Sequence, residues 1–443
     1  MTDVEVGRVR AVPATSGVID VGSAPRPGPG PDLGLGPVRR IDLAVDPRTG
    51  AGTGGGGVST GCSIGWTVEL HRDDSALDAL AAEWDDLYMR CPTATPFQTH
   101  AWLAAWWRNY GRRGTLRLVL VRRHGRLVAA APLMAVRRWG CPVLVPLASP
   151  QSDYCDVLLD RDEPQAAAWF LARALLSTPG WCVLDLPEVR PGAAAHLLTA
   201  VWPRTWWRTP ASTCLELPAG DIEGVLARMP RRSAGKLRAR LRRIDATGIT
   251  VAPVPAASAR DGVERLLHLH ARQWRGRPIN PEHVRPRFAR HLADALPVLI
   301  RDGRAALLEY RWEGGLVASD LVLIGHDLAG AYLYGAEANL REFVEVTLML
   351  LRQDLGVARA AGVPTLSMLR GDEPYKRKWR PDAVRSERLL LARERPVAAA
   401  YAAAARAHAD LRARRDRRRH RAAHGGRTAP AVRSGSKGGD GRA

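Results

Sequence analysis

The chain has 443 residues, 46% of them hydrophobic and 25% charged, which is apolar material enough for two sizeable cores. Its formal net charge is +20 and almost all of the positive charge is Arg, since Lys236, Lys376, Lys378 and Lys437 are the only lysines. Two readings of that excess stay open: the codon bias of a GC-rich genome, or affinity for polyanions such as nucleic acid, anionic lipid or a phosphorylated substrate. Cys62, Cys91, Cys141, Cys155, Cys182 and Cys214 are scattered without a C-x-x-C pair, so neither a zinc site nor a disulfide framework is expected. No apolar run approaches 18 residues, and the start lacks a basic stretch followed by an apolar one. The expectation is a cytoplasmic protein with no transmembrane segment.

Residues 1–64 carry Pro27-Gly-Pro-Gly-Pro31 and Gly54-Gly-Gly-Gly57, which hold neither helix nor strand, and are expected to be a disordered leader. A first unit is placed at 65–218. It begins with a strand at 66–70 and a helix at 74–89 that puts Leu77, Leu80, Ala81, Trp84 and Leu87 on one face. A second helix at 99–110 follows, then a hairpin, 116–122 and 127–136, turning at His124-Gly125. A helix at 163–176, a buried strand at 181–186 and a strand at 206–217 close this unit.

A second unit is placed at 219–392. Helices are expected at 221–229, 233–245, 263–274 and 285–296. Three strands, 305–312, 316–324 and 328–334, form a meander with turns at Gly314-Gly315 and Gly325-His326-Asp327. A long helix then carries Val344, Leu348, Leu351, Leu355 and Ala358 on one stripe and ends at Gly362. Strands at 365–368 and 386–392 finish the unit. From 393 to 443 an alanine-rich stretch leads into nine Arg between 406 and 427, a basic helical arm with a disordered end. The fold class is therefore α/β, with one pattern of helices, antiparallel meander, helix and further strands used twice.

Residues 364–379 include Leu369-Arg-Gly-Asp-Glu-Pro-Tyr-Lys376, with Trp379 behind it. That piece resembles a signature of the GNAT superfamily of acyl-CoA N-acyltransferases, in the two-unit branch of cellulose-biosynthesis (CelD-like) acetyltransferases. The branch is related to the Fem aminoacyl transferases. Thr95-Pro-Phe-Gln-Thr-His-Ala-Trp102, Ser149-Pro-Gln-Ser-Asp-Tyr-Cys-Asp156 and Arg231-Arg-Ser-Ala-Gly-Lys-Leu-Arg238 are similar to other elements of that branch. The resemblance implies two tandem GNAT-like units with mixed, largely antiparallel sheets. It also implies acetyl-CoA or another acyl-CoA as co-substrate, with no metal. Coenzyme A would lie at the start of the long helix, which assigns Gly335, Asn339 and Arg341 to cofactor binding. The stretch Gly335-Ala-Glu-Ala-Asn339-Leu-Arg-Glu342 lacks the branch's Ser-Pro-Gly-like turn. Asn339 and Glu342 are spaced as a capping box, which would satisfy two of the amides internally.

Direct attack of an amine on a thioester needs orientation, a route for the amine's proton and a donor near the leaving sulfur. Asp320 lies within the apolar run 316–324, where a carboxylate is either paired or functional. Tyr332 and Tyr334, two apart on a strand, are expected to share a face; Tyr334 is placed to protonate the thiolate, or both are packing aromatics. Asp320, Tyr334 and Asp372 are the catalytic candidates. Asp153, Tyr154, Glu373 and Lys376 are the substrate-binding candidates, the last two also readable, with Asp372, as a surface ion pair. The basic run from Arg231 to Arg243 reads first as a solvated face and second as the lining of a nucleotide groove. The histidines have no ligand spacing. Three functions compete: an acyl-CoA-dependent N-acyltransferase acting on a small-molecule, sugar or envelope-precursor amine; a Fem-like transferase using charged tRNA; and a non-catalytic binding protein on a GNAT scaffold. The arm is expected to touch polyanions without specificity.

Overall fold

The computed structural model describes residues 39–41, 65–276 and 280–425; the rest of the expected leader and the end of the tail lie outside them. Within the leader, β1 (Arg39–Ile41) pairs antiparallel with β2 (Trp66–His71). The helix expected at 74–89 is two, α1 (Ala76–Ala79) and α2 (Ala81–Arg90), broken at Leu80. Next, α3 (His100–Tyr110) buries Trp102, Trp106 and Trp107. The hairpin of β3 (Leu116–Arg123) and β4 (Arg126–Arg138) turns where His124 has φ 48° and Gly125 φ 81°, the left-handed pair that a tight hairpin requires. There follow β5 (Cys141–Pro146), β6 (Leu158–Leu159), α4 (Pro164–Ser177), β7 (Val183–Val189), α5 (Ala195–Ala200) and β8 (Trp206–Pro218).

The second half opens with α6 (Ile222–Ala227), α7 (Arg231–Asp245), β9 (Thr250–Pro253), α8 (Ala259–Gln273) and α9 (Pro286–Arg301). The meander is β10 (Ala305–Trp312), β11 (Gly315–Ile324) and β12 (Leu328–Ala336). After it come α10 (Leu340–Phe343), α11 (Val346–Ala360), β13 (Thr365–Arg370), α12 (Pro374–Arg377), β14 (Asp382–Ala392) and α13 (Arg395–Gly425). None of the described helices is long and apolar enough to cross a membrane.

All described strands join one sheet in the order β1-β2-β3-β4-β5-β7-β14-β8-β13-β12-β11-β10-β9, with β6 beside β4. Each half of it is an antiparallel meander ending in one parallel pair: β5 with β7 across α4, and β12 with β13 across α11. These are the two tandem α/β units expected. The strand expected to close the first unit does something else: β8 pairs with β13 and β14, while β14 pairs with β7. Helices cover both faces. On one face a single core joins Trp102 and Leu103 of α3 to Phe288 and Leu292 of α9, so the halves share it. On the other, α4 and α5 cover the first meander, and α6, α7 and α11 cover the second.

Candidate functional site

The parallel pairing of β12 with β13 lasts for three residue pairs, from Leu328↔Thr365 to Gly330↔Ser367. Both strands then depart from regular register. The pairing of β12 with β11 jumps from Leu321↔Leu333 to Val322↔Ala331, leaving Tyr332 as a bulge. Opposite, Leu369 holds φ 56° and Gly371 φ 116°, a conformation that a leucine adopts only when its surroundings force it. A cavity of about 260 Å³ opens between the separated strands, walled by 331–334 and 368–370, by the inner face of α11, and by His270, His283 and Trp379.

The bulge overturns one expectation. Tyr332 and Leu333 both pack toward α3 and α9, whereas Tyr334 packs under α11, so the two tyrosines do not share a face. An extra residue in one strand resets the alternation of every side chain after it. The Tyr332 hydroxyl donates to the Gln151 carbonyl at 2.9 Å.

Asp320 of β11 sits at the cavity floor and meets Asp354 of α11. They are 2% and 5% exposed, and a hydrogen bond joins their carboxyl groups. Burial first, and then each other's charge, pushes the Asp354 carboxyl far above the ordinary carboxylate range; Asp320 is raised by burial alone, the bond from Asp354 acting against it. Both carboxyl groups therefore keep their protons to higher pH than exposed carboxyls do, and being in contact they release them one after the other. Asp354 was missed from sequence because it is one polar residue inside the apolar stripe, three after Leu351. That position, on the buried face of an amphipathic helix, was the available signal.

Two histidines from different elements also meet here. His270 Nδ1 donates to the Tyr334 carbonyl at 2.7 Å, which leaves His270 Nε2 bare to accept from His283 Nδ1 at 3.2 Å. The remaining nitrogen, His283 Nε2, accepts from Asn280 at 3.2 Å. Every nitrogen is satisfied with both rings neutral. Burial lowers both, His283 to about 4.

Of the sequence-derived candidates, Asp153, Asp320, Tyr334, Glu373 and Lys376 line this one cavity. Asp153 is ion-paired with Arg370. Lys376 is buried, and its Nζ donates to the Arg370 carbonyl at 2.8 Å and to Glu373 at 3.0 Å. Tyr154 is elsewhere: its buried hydroxyl donates to Glu216 at 3.0 Å beside Ser367, and its ring packs on Phe97. Asp372 is exposed and ion-paired with Arg377, outside the cavity lining.

The loop assigned to the cofactor differs from expectation. A Cβ on Gly335 would lie 2.4 Å from the His270 amide nitrogen, so its lack of a side chain serves close packing of β12 on α8. Asn339 makes no side-chain cap bond, so the capping box with Glu342 does not form, and α10 is a separate four-residue turn. The long helix starts at Val346 after an extended Glu345. At that start Arg240, Arg243, Arg341, Thr347 and Lys378 line an open groove of about 420 Å³. Glu345 lies within it, ion-paired with Arg240 and Lys378, and Lys378 also donates to Thr347 at 2.7 Å. Burial pushes the Glu345 carboxyl up, but Lys378 and Arg240 hold it below its usual range. The groove and the cavity share Thr347.

Residues 231–377 match the family model of the acetyltransferase (GNAT) domain. No curated protein matches the chain. Among solved structures, FemX is 12% identical at a TM-score of 0.51, the match covering 70% of this chain and 95% of that one. The C-terminal domain of a putative lysylphosphatidylglycerol synthetase from Agrobacterium fabrum is 12% identical at 0.46, covering 74% of this chain and 96% of that one. A tandem GNAT protein from the clavulanic acid biosynthesis pathway is 14% identical at 0.37, covering 74% and 99%. The chain thus has the GNAT fold, and its residues 231–377 are similar to the acetyltransferase (GNAT) domain.

Proposed function

We propose that the second unit transfers an acyl group from acetyl-CoA or another acyl-CoA to the amine of a small molecule, sugar or envelope precursor, by direct attack on the thioester. The observation that carries this is the continuity of a cationic groove at the start of α11 with the cavity between β12 and β13, through Thr347. A diphosphate suits the first: Arg240, Arg243, Arg341 and Lys378 supply charge, and the first-turn amides of a 15-residue helix supply donors. A pantetheine arm entering past Thr347 would bring its thioester beside the Tyr332 bulge, where a backbone amide left out of the ladder can polarise the carbonyl. Asp320 is then the group that accepts the amine's proton. Tyr334 serves the leaving sulfur, and Asp153, Glu373 and Lys376 hold the acceptor. Asp372, at the rim, takes part only if the loop carrying it closes.

The test is release of free thiol from acetyl-CoA and longer acyl-CoAs with a panel of amines. Asp320→Asn and Lys376→Ala are each expected to lower turnover at least about tenfold, the low end of a positioned proton-transfer or charge group. Full activity in both would move the chemistry elsewhere. A second reading, transfer from charged tRNA, is favoured by α7, where Arg231, Arg232, Lys236 and Arg242 are exposed beyond what a diphosphate occupies. Transfer from an aminoacyl-tRNA but from no acyl-CoA would select it. Thermal stabilisation by acyl-CoA without thiol release under any acceptor would select a binding protein instead. The branch resemblance and the polyanion contact of α13 belong to the same proposal.

A further inference from the structure

Two buried carboxyl groups face the cavity, and among the described residues no cation pairs with either of them. Asp320 Oδ2 and Asp354 Oδ1 have no hydrogen-bond partner, both residues are more than nine-tenths buried, and both line the cavity. The nearby charges are spent on others. Arg352, on the same helix as Asp354, pairs with Asp245 at 2.6 Å. Arg370 pairs with Asp153, and Lys376 is held by the Arg370 carbonyl and Glu373. His270 and His283 are bonded to each other and to Tyr334 and Asn280. The hydroxyl of Tyr310, on the neighbouring β10, is also buried without a partner. A buried negative charge without a counter-ion is a standing cost to the fold, and such a cost is kept where a ligand removes it.

We propose that the Asp320–Asp354 pair is a recognition site for an organic ammonium group that a substrate carries into the cleft. The inference rests on the reading of this cleft as the transfer site and names the class of substrate it takes. With one shared proton the pair presents a single negative charge and two free oxygens on different elements. A primary ammonium has one positive charge and three diverging donors, so it can reach both oxygens and keep one donor for the Tyr310 hydroxyl or water. A guanidinium prefers both oxygens of one carboxylate in a plane, and one oxygen of each group here is already committed. An alcohol brings the hydrogen bond without the charge. The ammonium belongs either to the acceptor amine or to the transferred group, as in an aminoacyl donor.

The experiment uses the full chain with no acyl donor, so that its outcome is independent of whether transfer is observed. Binding of n-butylammonium, of alanine methyl ester and of n-butanol is measured by calorimetry and thermal shift. The wild type is expected to bind one or both cations at least about tenfold more tightly than the alcohol, the value of a hydrogen bond to a charged group. Tighter n-butylammonium assigns the site to the acceptor, and tighter alanine methyl ester assigns it to the transferred group. Asp320→Asn, which removes the pair's one negative charge, is expected to lose at least about tenfold in cation affinity while coenzyme A binds as before, since Asp320 does not line the groove. The proposal is overturned if n-butanol binds the wild type as tightly as the cations, if neither cation binds, or if Asp320→Asn binds them as the wild type does. The first two comparisons need no variant, so a variant that fails to fold leaves the question decided.

Discussion

Asp320 and Asp354 set a stability cost with a definite sign. In the unfolded chain each carboxyl titrates in its ordinary range; in the fold both are raised. Between those limits the native state keeps a proton that the unfolded chain has released, so stability falls as pH rises through the window. Asp320→Asn is therefore expected to stabilise the protein at pH 8, by roughly 1–3 kcal/mol, and to change little at pH 4.5. Urea unfolding at the two pH values checks this, and a variant less stable than wild type at pH 8 contradicts it. The histidines act in the opposite direction. His270 and His283 are lowered, so below the ordinary histidine range the unfolded chain takes up protons that the fold refuses, and stability is lost as pH falls from about 6.5. His283→Gln should flatten that acid limb alone. Gly335 carries a steric version of the same kind of test. Its missing Cβ would meet the His270 amide nitrogen at 2.4 Å, so Gly335→Ala is expected to cost about 1–3 kcal/mol by overpacking. An unchanged unfolding midpoint would show that β12 and α8 can separate freely.

Among the elements, those with strong periodicity were legible and those defined by a distant partner were not. The stripe from Leu348 to Ala358 announced α11, although Val344, expected on the same helix, is the extended residue that ends α10, and the meander was readable from its turn residues at Gly314-Gly315 and Gly325-His326-Asp327. The six residues of β5 sit between tight turns and include two prolines, and β9 has four residues, mostly exposed; neither leaves a pattern long enough to find. The Tyr332 bulge exists only in relation to β11, so no local rule places it. For the same reason the cavity was half legible. Asp320 stood out as an acid in an apolar run, but its partner Asp354 and the meeting of His270 with His283 depend on helix packing across long separations. The start of α11 carries its own prediction. Glu345 occupies two of the cations that line the groove, Arg240 and Lys378. On the proposed reading of the groove an incoming diphosphate displaces it, so Glu345→Gln is expected to raise affinity for coenzyme A about threefold to tenfold, with the gain shrinking at high salt. Weaker binding by this variant would mean that Glu345 positions the cations and does not compete for them.

At the scale of the whole molecule, the two units were legible as a repeated order of elements, but their exchange of strands was not. Hydrophobic patterning identifies a strand without naming its neighbour, and 206–217 reads equally well as the last strand of one unit or the first of the next. In the structure β8, which precedes the second unit in the chain, lies between β13 and β14, and β14, the last strand, lies against β7 of the first unit. Separating the halves at the segment 219–221 would thus pull β8 from two neighbours, pull β14 from β7, and expose the core that Trp102 shares with Phe288. Each broken ladder leaves rows of unpaired backbone groups, and the bared core adds an apolar face that neither half can cover alone. The cavity would go with them, because Asp153 comes from the first half and the Arg370 it pairs with comes from the second. A specific protease site inserted at Gly220, in the half-buried bend between β8 and α6, is therefore expected to be cut without dissociation. The nicked chain should elute as a single species of unchanged size in native buffer and separate into two fragments only in denaturant. Two folded fragments eluting apart in native buffer would show that the units are independent and that the sheet joining them contributes little to holding the molecule together.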